Sequence, residues 1–273
     1  MVKTKQMNYL SLLYASFMHP DRKVAEVYED FALIEYKHMI WAMNDMVANG
    51  IEFDMDIDDL RDLKVTSTKE LREKIIEKLE NSIKCENSEG IKEATLKRFK
   101  SDEDYFLSVL KRMNDDEKIT AFDEHKTLKE IEITPAQADA FNFFLMGETF
   151  KEYELITIYS YLKAHINDNV EAVNCFADLA SDSIYHLKRF AKYAVELGTL
   201  NFVRSIDKEK YKDISIIKFL KENIEEEQDA EKECLVLAEK IGNEDLSNFL
   251  LFISRQEVYH AELLERALSH LKK

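Results

Sequence analysis

Glycine and proline are almost missing from this chain, with five Gly and two Pro among 273 residues. With so few breakers, and Glu, Lys, Leu and Ala abundant, the expected fold class is all-α. No Gly-rich phosphate loop and no nucleophile elbow occurs, which removes the commonest nucleotide-binding and acyl-transfer signatures. Cysteine is equally sparse. Cys85, Cys175 and Cys234 are odd in number and far apart, so they form no disulfide framework, and a reducing, cytoplasmic setting fits them best. Basic residues are outnumbered, 38 Lys plus Arg against 54 Asp plus Glu, a formal charge of -16. That balance repels phosphate backbones and anionic lipid surfaces, so neither nucleic acid nor a membrane is an expected partner. No apolar run approaches spanning length. The opening residues lack a small-residue cleavage site and are read as a helix of the fold.

What the chain does have is helical periodicity. The pattern predicts helices over about 4–18, 21–49, 67–86 and 90–114. A polar stretch follows from Asn114 to Pro135. Longer helices are then expected over about 135–166, from there to Gly198, over about 213–241, and from Asn243 to the end. They fall into four hairpins that resemble one another. N-D-N-V-E-A-V-N-C-F-A-D-L-A-S-D-S-I-Y-H, ending at His186, and G-N-E-D-L-S-N-F-L-L-F-I-S-R-Q-E-V-Y-H, ending at His260, share loop, apolar phase and the final Tyr-His. A third copy ends at His38, and a fourth, ending at Phe106, has no histidine. One hairpin cannot bury its own apolar face, and two make a four-helix bundle. The expected architecture is two tandem bundles, residues 1–118 and 134–273.

The chemistry-bearing residues follow the repeat. Glu257-x-x-His260 lies in the core-facing series Leu246, Phe249, Leu250, Ile253 and Leu264, and Glu227 lies thirty residues upstream in the series Leu220, Ala230 and Cys234. Acids inside an apolar face are costly unless paired or bound to metal, so these three are ligands, or else interhelical salt-bridge or rim residues. Carboxylate with imidazole suits iron, manganese or zinc. In the third hairpin Glu148 and Glu152 lie in a clean core series, and thirty residues after Glu152 comes Asp182, with His186 one turn further. The spacing there is Asp-x-x-x-His, and Ser183 stands where the repeat would place Glu. Glu152, Asp182 and His186 are candidate ligands nonetheless, since residues four apart share a face. The first hairpin offers Glu35-x-x-His38, but its partner helix has Lys5 and Gln6 where a Glu is wanted; this pair is read as a buried relic of duplication.

On these residues the second half resembles a ferritin-like or rubrerythrin-like di-iron carboxylate protein. Glu227, Glu257 and His260 fall on that family's ligand positions, Glu152 and His186 match the other half, and Tyr159 stands seven residues after Glu152, where members often carry Tyr. The resemblance implies ferritin-like bundles, the first degenerate, and a di-iron site in 134–273, with Mn or Zn as other occupants. It implies reaction with dioxygen or peroxide, of oxidase, peroxidase or ferroxidase type, with Tyr159 as a catalytic redox or donor residue. It also allows a homodimer. Cys234 replaces the family's second Tyr, and no Cys-x-x-Cys pairs supply a rubredoxin module, so the electron donor would be external. Two other readings stand beside it: a di-iron hydroxylase whose substrate pocket is lined by Phe141, Phe144 and Phe190, and a metal-free helical scaffold.

Overall fold

A computed structural model describes residues 1–84, 88–166, 169–212 and 214–271. The breaks read at Asn87, Asn167 and Asp168, and the residues Cys85, Glu86 and Asp213, lie outside the described residues. The fold is all-helical, with eight α-helices among the described residues: α1 Val2–Met18, α2 Arg22–Ala48, α3 Thr68–Lys84, α4 Glu93–Leu110, α5 Pro135–His165, α6 Val170–Leu197, α7 Ile216–Lys240 and α8 Glu244–Leu271. Two short 3-10 turns, Arg61–Leu63 and Lys208–Lys210, complete the set. None of these helices is long and apolar enough to cross a membrane.

Helix starts are written into local chemistry. Asp21 accepts from the amides of Lys23 and Val24 at the head of α2. Thr134 and Gln137 form a reciprocal capping box with Pro135 in the first turn of α5. Asn169, Ser215 and Asn243 accept from the amides of Ala172, Lys218 and Leu246 at the heads of α6, α7 and α8. Each side chain satisfies a first-turn amide that has no intrahelical partner. Gly198 ends α6 with a φ of 74°, a conformation that L side chains rarely adopt; a Cβ there would also meet the Glu124 amide at 2.7 Å.

The chain divides into two compact units. The first comprises Met1–Phe122 and Phe202–Ile206, and holds α1 to α4. The second comprises Asp123–Asn201 and Asp207–Lys273, and holds α5 to α8. The division between Phe122 and Asp123 falls within the polar stretch from Asn114 to Pro135. Five residues of the α6–α7 crossover, Phe202–Ile206, belong to the first unit, for a visible reason. The Val203 amide donates to the Tyr14 hydroxyl at 3.0 Å, Ser205 exchanges hydrogen bonds with the Ile57 backbone, and Phe202 packs on Tyr14 and Phe122. Extended segments carry no helical periodicity, so nothing in their spacing announces which core they join.

Within the second unit α5 packs along α6, α7 packs along α8, and α6 also meets α8. The faces so enclosed carry Leu145, Ile156 and Tyr159 from α5, Phe176, Leu187 and Phe190 from α6, Leu220 and Cys234 from α7, and Leu250, Ile253 and Leu264 from α8, all buried. The candidate ligands sit in the middle of these faces.

Candidate metal centre

Five polar side chains from four helices converge in the second unit: Glu152 of α5, His186 of α6, Glu227 of α7, and Glu257 and His260 of α8. All are buried, none more than 4 % exposed. Desolvating five ionisable groups is affordable only if they compensate one another or a cation. They form two overlapping triads, Glu152–His186–Glu257 and Glu227–Glu257–His260, with the potential ligand atoms of each triad within 4.8 Å of one another.

Glu257 is common to both. Its Oε2 lies 3.0 Å from His260 Nδ1, and its Oε1 faces His186 Nδ1 at 3.8 Å. Glu152 Oε1 is 2.8 Å from His186 Nδ1, and Glu227 Oε2 is 3.6 Å from His260 Nδ1. Both imidazoles therefore present Nδ1 to the carboxylates. Their Nε2 atoms point the other way, His260 to Asp182 Oδ2 at 3.2 Å and His186 to Gln256 Oε1 at 2.9 Å. With an acceptor fixed at each Nε2, the neutral ring keeps its hydrogen there and leaves the Nδ1 lone pair free for a metal. Three carboxylates and two such nitrogens form a donor set suited to iron, manganese or zinc.

Without a metal the cluster is held by protons. Burial alone would lower the His186 pKa, but the charge and hydrogen bond of Glu152, with Glu257 behind it, raise it from 6.5 to about 9. Burial is likewise outweighed at His260, where bonds to Asp182, Glu227 and Glu257 push it up to about 12. Burial lifts Glu257 to about 8; at its neighbour Glu227 burial acts the same way but is outweighed by bonds from His260 and Glu257, which hold it below the ordinary range. A group whose folded pKa is raised stabilises the fold fully below its unfolded pKa, and this contribution is lost as pH rises through the folded one. For His186 the window runs from 6.5 to about 9, and the shift corresponds to roughly 3 kcal/mol. Chelator-treated protein is thus expected to lose denaturant stability between pH 6.5 and 9, with metal-loaded protein far less affected. Flat stability across that range in both forms would contradict the shared-proton arrangement.

The remaining candidates fall around this cluster. Asp182 does not join either triad; it stands behind His260, a third exposed. Tyr159 is buried between Phe176 and Phe219, and its hydroxyl points to Asn223 Oδ1 at 3.5 Å, one turn before Glu227 on α7. Burial and the charges of Glu227, Glu152 and Glu257 hold that phenol far above its ordinary pKa. Glu148 lies one turn before Glu152, and burial, against the opposing charge of Lys151, lifts its carboxyl to about 7. Ser183 is buried one turn before His186, where α8 has Glu257 before His260. Cys234 is a buried thiol, kept protonated by burial and by Glu257. Phe141, Phe144 and Phe190 pack on each other and on Tyr193 and Phe249. A cleft of about 410 Å³ on α7 and α8, lined by Glu231, Lys232, Glu262 and Glu265 among others, reaches Glu257.

Gln256 and Lys151 were not singled out from sequence. Gln256 had a signal: it precedes His260 by four residues, as Asp182 precedes His186. The two are used crosswise, each serving the histidine of the other helix.

The first unit also holds a buried polar cluster with a Glu-x-x-His pair. Glu35 and His38 are fully buried, with His38 Nδ1 3.1 Å from Glu35 and Nε2 3.0 Å from Asp102. The Lys5 ammonium reaches Glu103 at 2.5 Å and lies over the Phe99 ring, while the Asn8 amide donates to Ser82, Glu103 and Glu35. Asp102 and Glu103 repeat the order of Gln256 and Glu257, and Phe106 stands where α8 has His260.

Set against protein-family models, curated proteins and solved structures, the chain finds no match in any of the three.

Proposed function

We propose that the second unit is a ferritin-like four-helix bundle whose buried cluster binds two metal ions, iron foremost, and that the protein is an oxidoreductase of oxidase, peroxidase or ferroxidase type. The observation that carries this reading is the sharing of one carboxylate, Glu257, by two buried triads that each contain one histidine Nδ1. A salt-bridge core has no need of that symmetry, whereas a pair of cations does.

In this reading Glu152 and His186 would hold one ion and Glu227 and His260 the other, with Glu257 common to both groups. When iron is bound there, the chemistry supplied is oxidation of Fe(II) by dioxygen or peroxide, with an external donor returning electrons. The protein's own residues do the rest. The apolar faces around the cluster exclude water and so strengthen every charge interaction within it. Tyr159 keeps its proton and offers an O–H beside Asn223. Glu148, with a carboxyl near neutrality, holds or releases a proton at its Oε atoms. The cleft on α7 and α8, with Glu231, Glu257, Glu262 and Glu265 in its lining against one Lys232, favours cations near the site.

The hydroxylase alternative asked for a substrate-sized pocket among Phe141, Phe144 and Phe190. Those rings are packed against one another, and Phe141 and Phe190 are fully buried, which favours small oxidants over an organic substrate. The first unit, with Lys5 where a metal ligand would be needed, is assigned a structural role.

The test is metal analysis of protein purified from iron-fed cells, together with Mössbauer spectra of the enriched sample. About two irons per chain with a coupled-pair signature is the expected result. Less than about one metal per chain, whether iron, manganese or zinc, sinks the proposal.

A further inference from the structure

The two halves of the centre differ in what stands behind their histidines. Both rings are fixed through Nε2, yet His260 is backed by the Asp182 carboxylate and His186 by the neutral amide of Gln256. The supports are reciprocal, since Asp182 of α6 serves the histidine of α8 and Gln256 of α8 serves the histidine of α6. The two supports are thus similar in distance, 3.2 and 2.9 Å, and differ in charge.

A carboxylate accepting from the distal N–H of an imidazole makes the other nitrogen a stronger donor and adds negative charge near the ion; an amide oxygen fixes the same orientation without that charge. Outer partners of this kind are worth roughly 10- to 100-fold in metal affinity. The first-contact groups do not cancel the difference, because each half contributes one Glu and one His and the two halves share Glu257.

We propose that Asp182 and Gln256 are positioning residues that make the two metal positions unequal, so that the Glu227–Glu257–His260 position fills before the Glu152–His186–Glu257 position. The inference rests on the metal-binding reading above and goes beyond it in assigning order and cause. A centre loaded in order is half-filled at low metal supply, with the second ion the exchangeable one.

The experiment is an anaerobic titration of chelator-treated full-length protein with Co(II), followed by calorimetry and by the visible cobalt spectrum. The wild type is expected to bind in two steps separated by about 10- to 100-fold. His260→Ala removes the tight step, and His186→Ala removes the weak one. Asp182→Asn keeps an acceptor for Nε2 but not the charge, and is expected to weaken the tight step about tenfold and bring the two together. Gln256→Glu supplies the missing charge and is expected to tighten the weak step by a similar factor. A purely structural role for these two residues would not shift the steps in opposite directions. Two equal steps, a tight step that survives His260→Ala, or unchanged steps in both Asp182→Asn and Gln256→Glu overturn the inference while leaving a dinuclear site standing. Binding of no cobalt at all overturns the site and the inference together.

Discussion

Glu257→Gln is expected to empty both metal positions at once while the protein stays folded. Gln has the same shape and can still meet His260 Nδ1, so the loss isolates the charge that Glu257 brings to two triads. Removing an outer partner of a metal site costs 10- to 100-fold in affinity, so losing a shared ligand should exceed about 100-fold at each position. Glu152→Gln and Glu227→Gln are the controls, each expected to weaken one position and spare the other. The measurement is metal stoichiometry by elemental analysis after dialysis against a buffered metal supply, with circular dichroism to show the helices intact. Retention of two tightly held metals by Glu257→Gln would refute the bridging role. The substitution should also relieve the metal-free protein of a carboxyl that burial already pushes up to about 8, so its fold has little reason to suffer.

Lys5→Met in the first unit is expected to be among the most damaging single changes in the chain, at about 3–5 kcal/mol of stability. Lys5 and Glu103 are both fully buried and 2.5 Å apart. Truncating the charge leaves the buried Glu103 carboxylate with the neutral Asn8 amide, which it shares with Glu35, another fully buried acid. Replacing the pair together, Lys5→Met with Glu103→Leu, should recover most of the loss, because a buried ion pair often contributes little beyond an apolar pair of similar volume. Urea unfolding of the three proteins checks this. A loss below about 1 kcal/mol in Lys5→Met would show that the ammonium is not what balances the cluster. A buried acid–histidine pair occurs in each unit, and in the first a lysine ammonium is buried beside it.

Much of this was legible from residue spacing. The eight helices were foreseen to within a few residues of their ends, because caps such as Asp21, Thr134 and Asn169 act within one turn and apolar periodicity reports directly on the buried face. Glu152, His186, Glu227, Glu257 and His260 were named because each interrupts an apolar face, and all five come together. Asp182 was named on the same grounds and lies outside both triads. Its offset from His186 placed it on the right face, but its oxygen meets the histidine of the neighbouring helix. Gln256 drew no notice because a neutral amide beside a motif carries no burial penalty large enough to demand explanation. The Phe202–Ile206 segment groups with the first unit through the Val203 amide on the Tyr14 hydroxyl and the Ser205 hydroxyl on the Ile57 backbone, contacts that no period encodes.

The residues alone thus settle that the chain is helical, where the helices begin, and which face of each is buried, since all of that depends on interactions reaching no further than four positions along the backbone. Which oxygen meets which nitrogen is decided by tertiary packing. Helices pack with axes roughly 8–10 Å apart, and a slide of one turn, about 5 Å, would leave every face apolar and every cap intact while carrying Glu257 away from His186. The convergence of four helices on one shared carboxylate, and the crosswise support of the two histidines by Asp182 and Gln256, exist only at the register that the packed cores of α5 to α8 select.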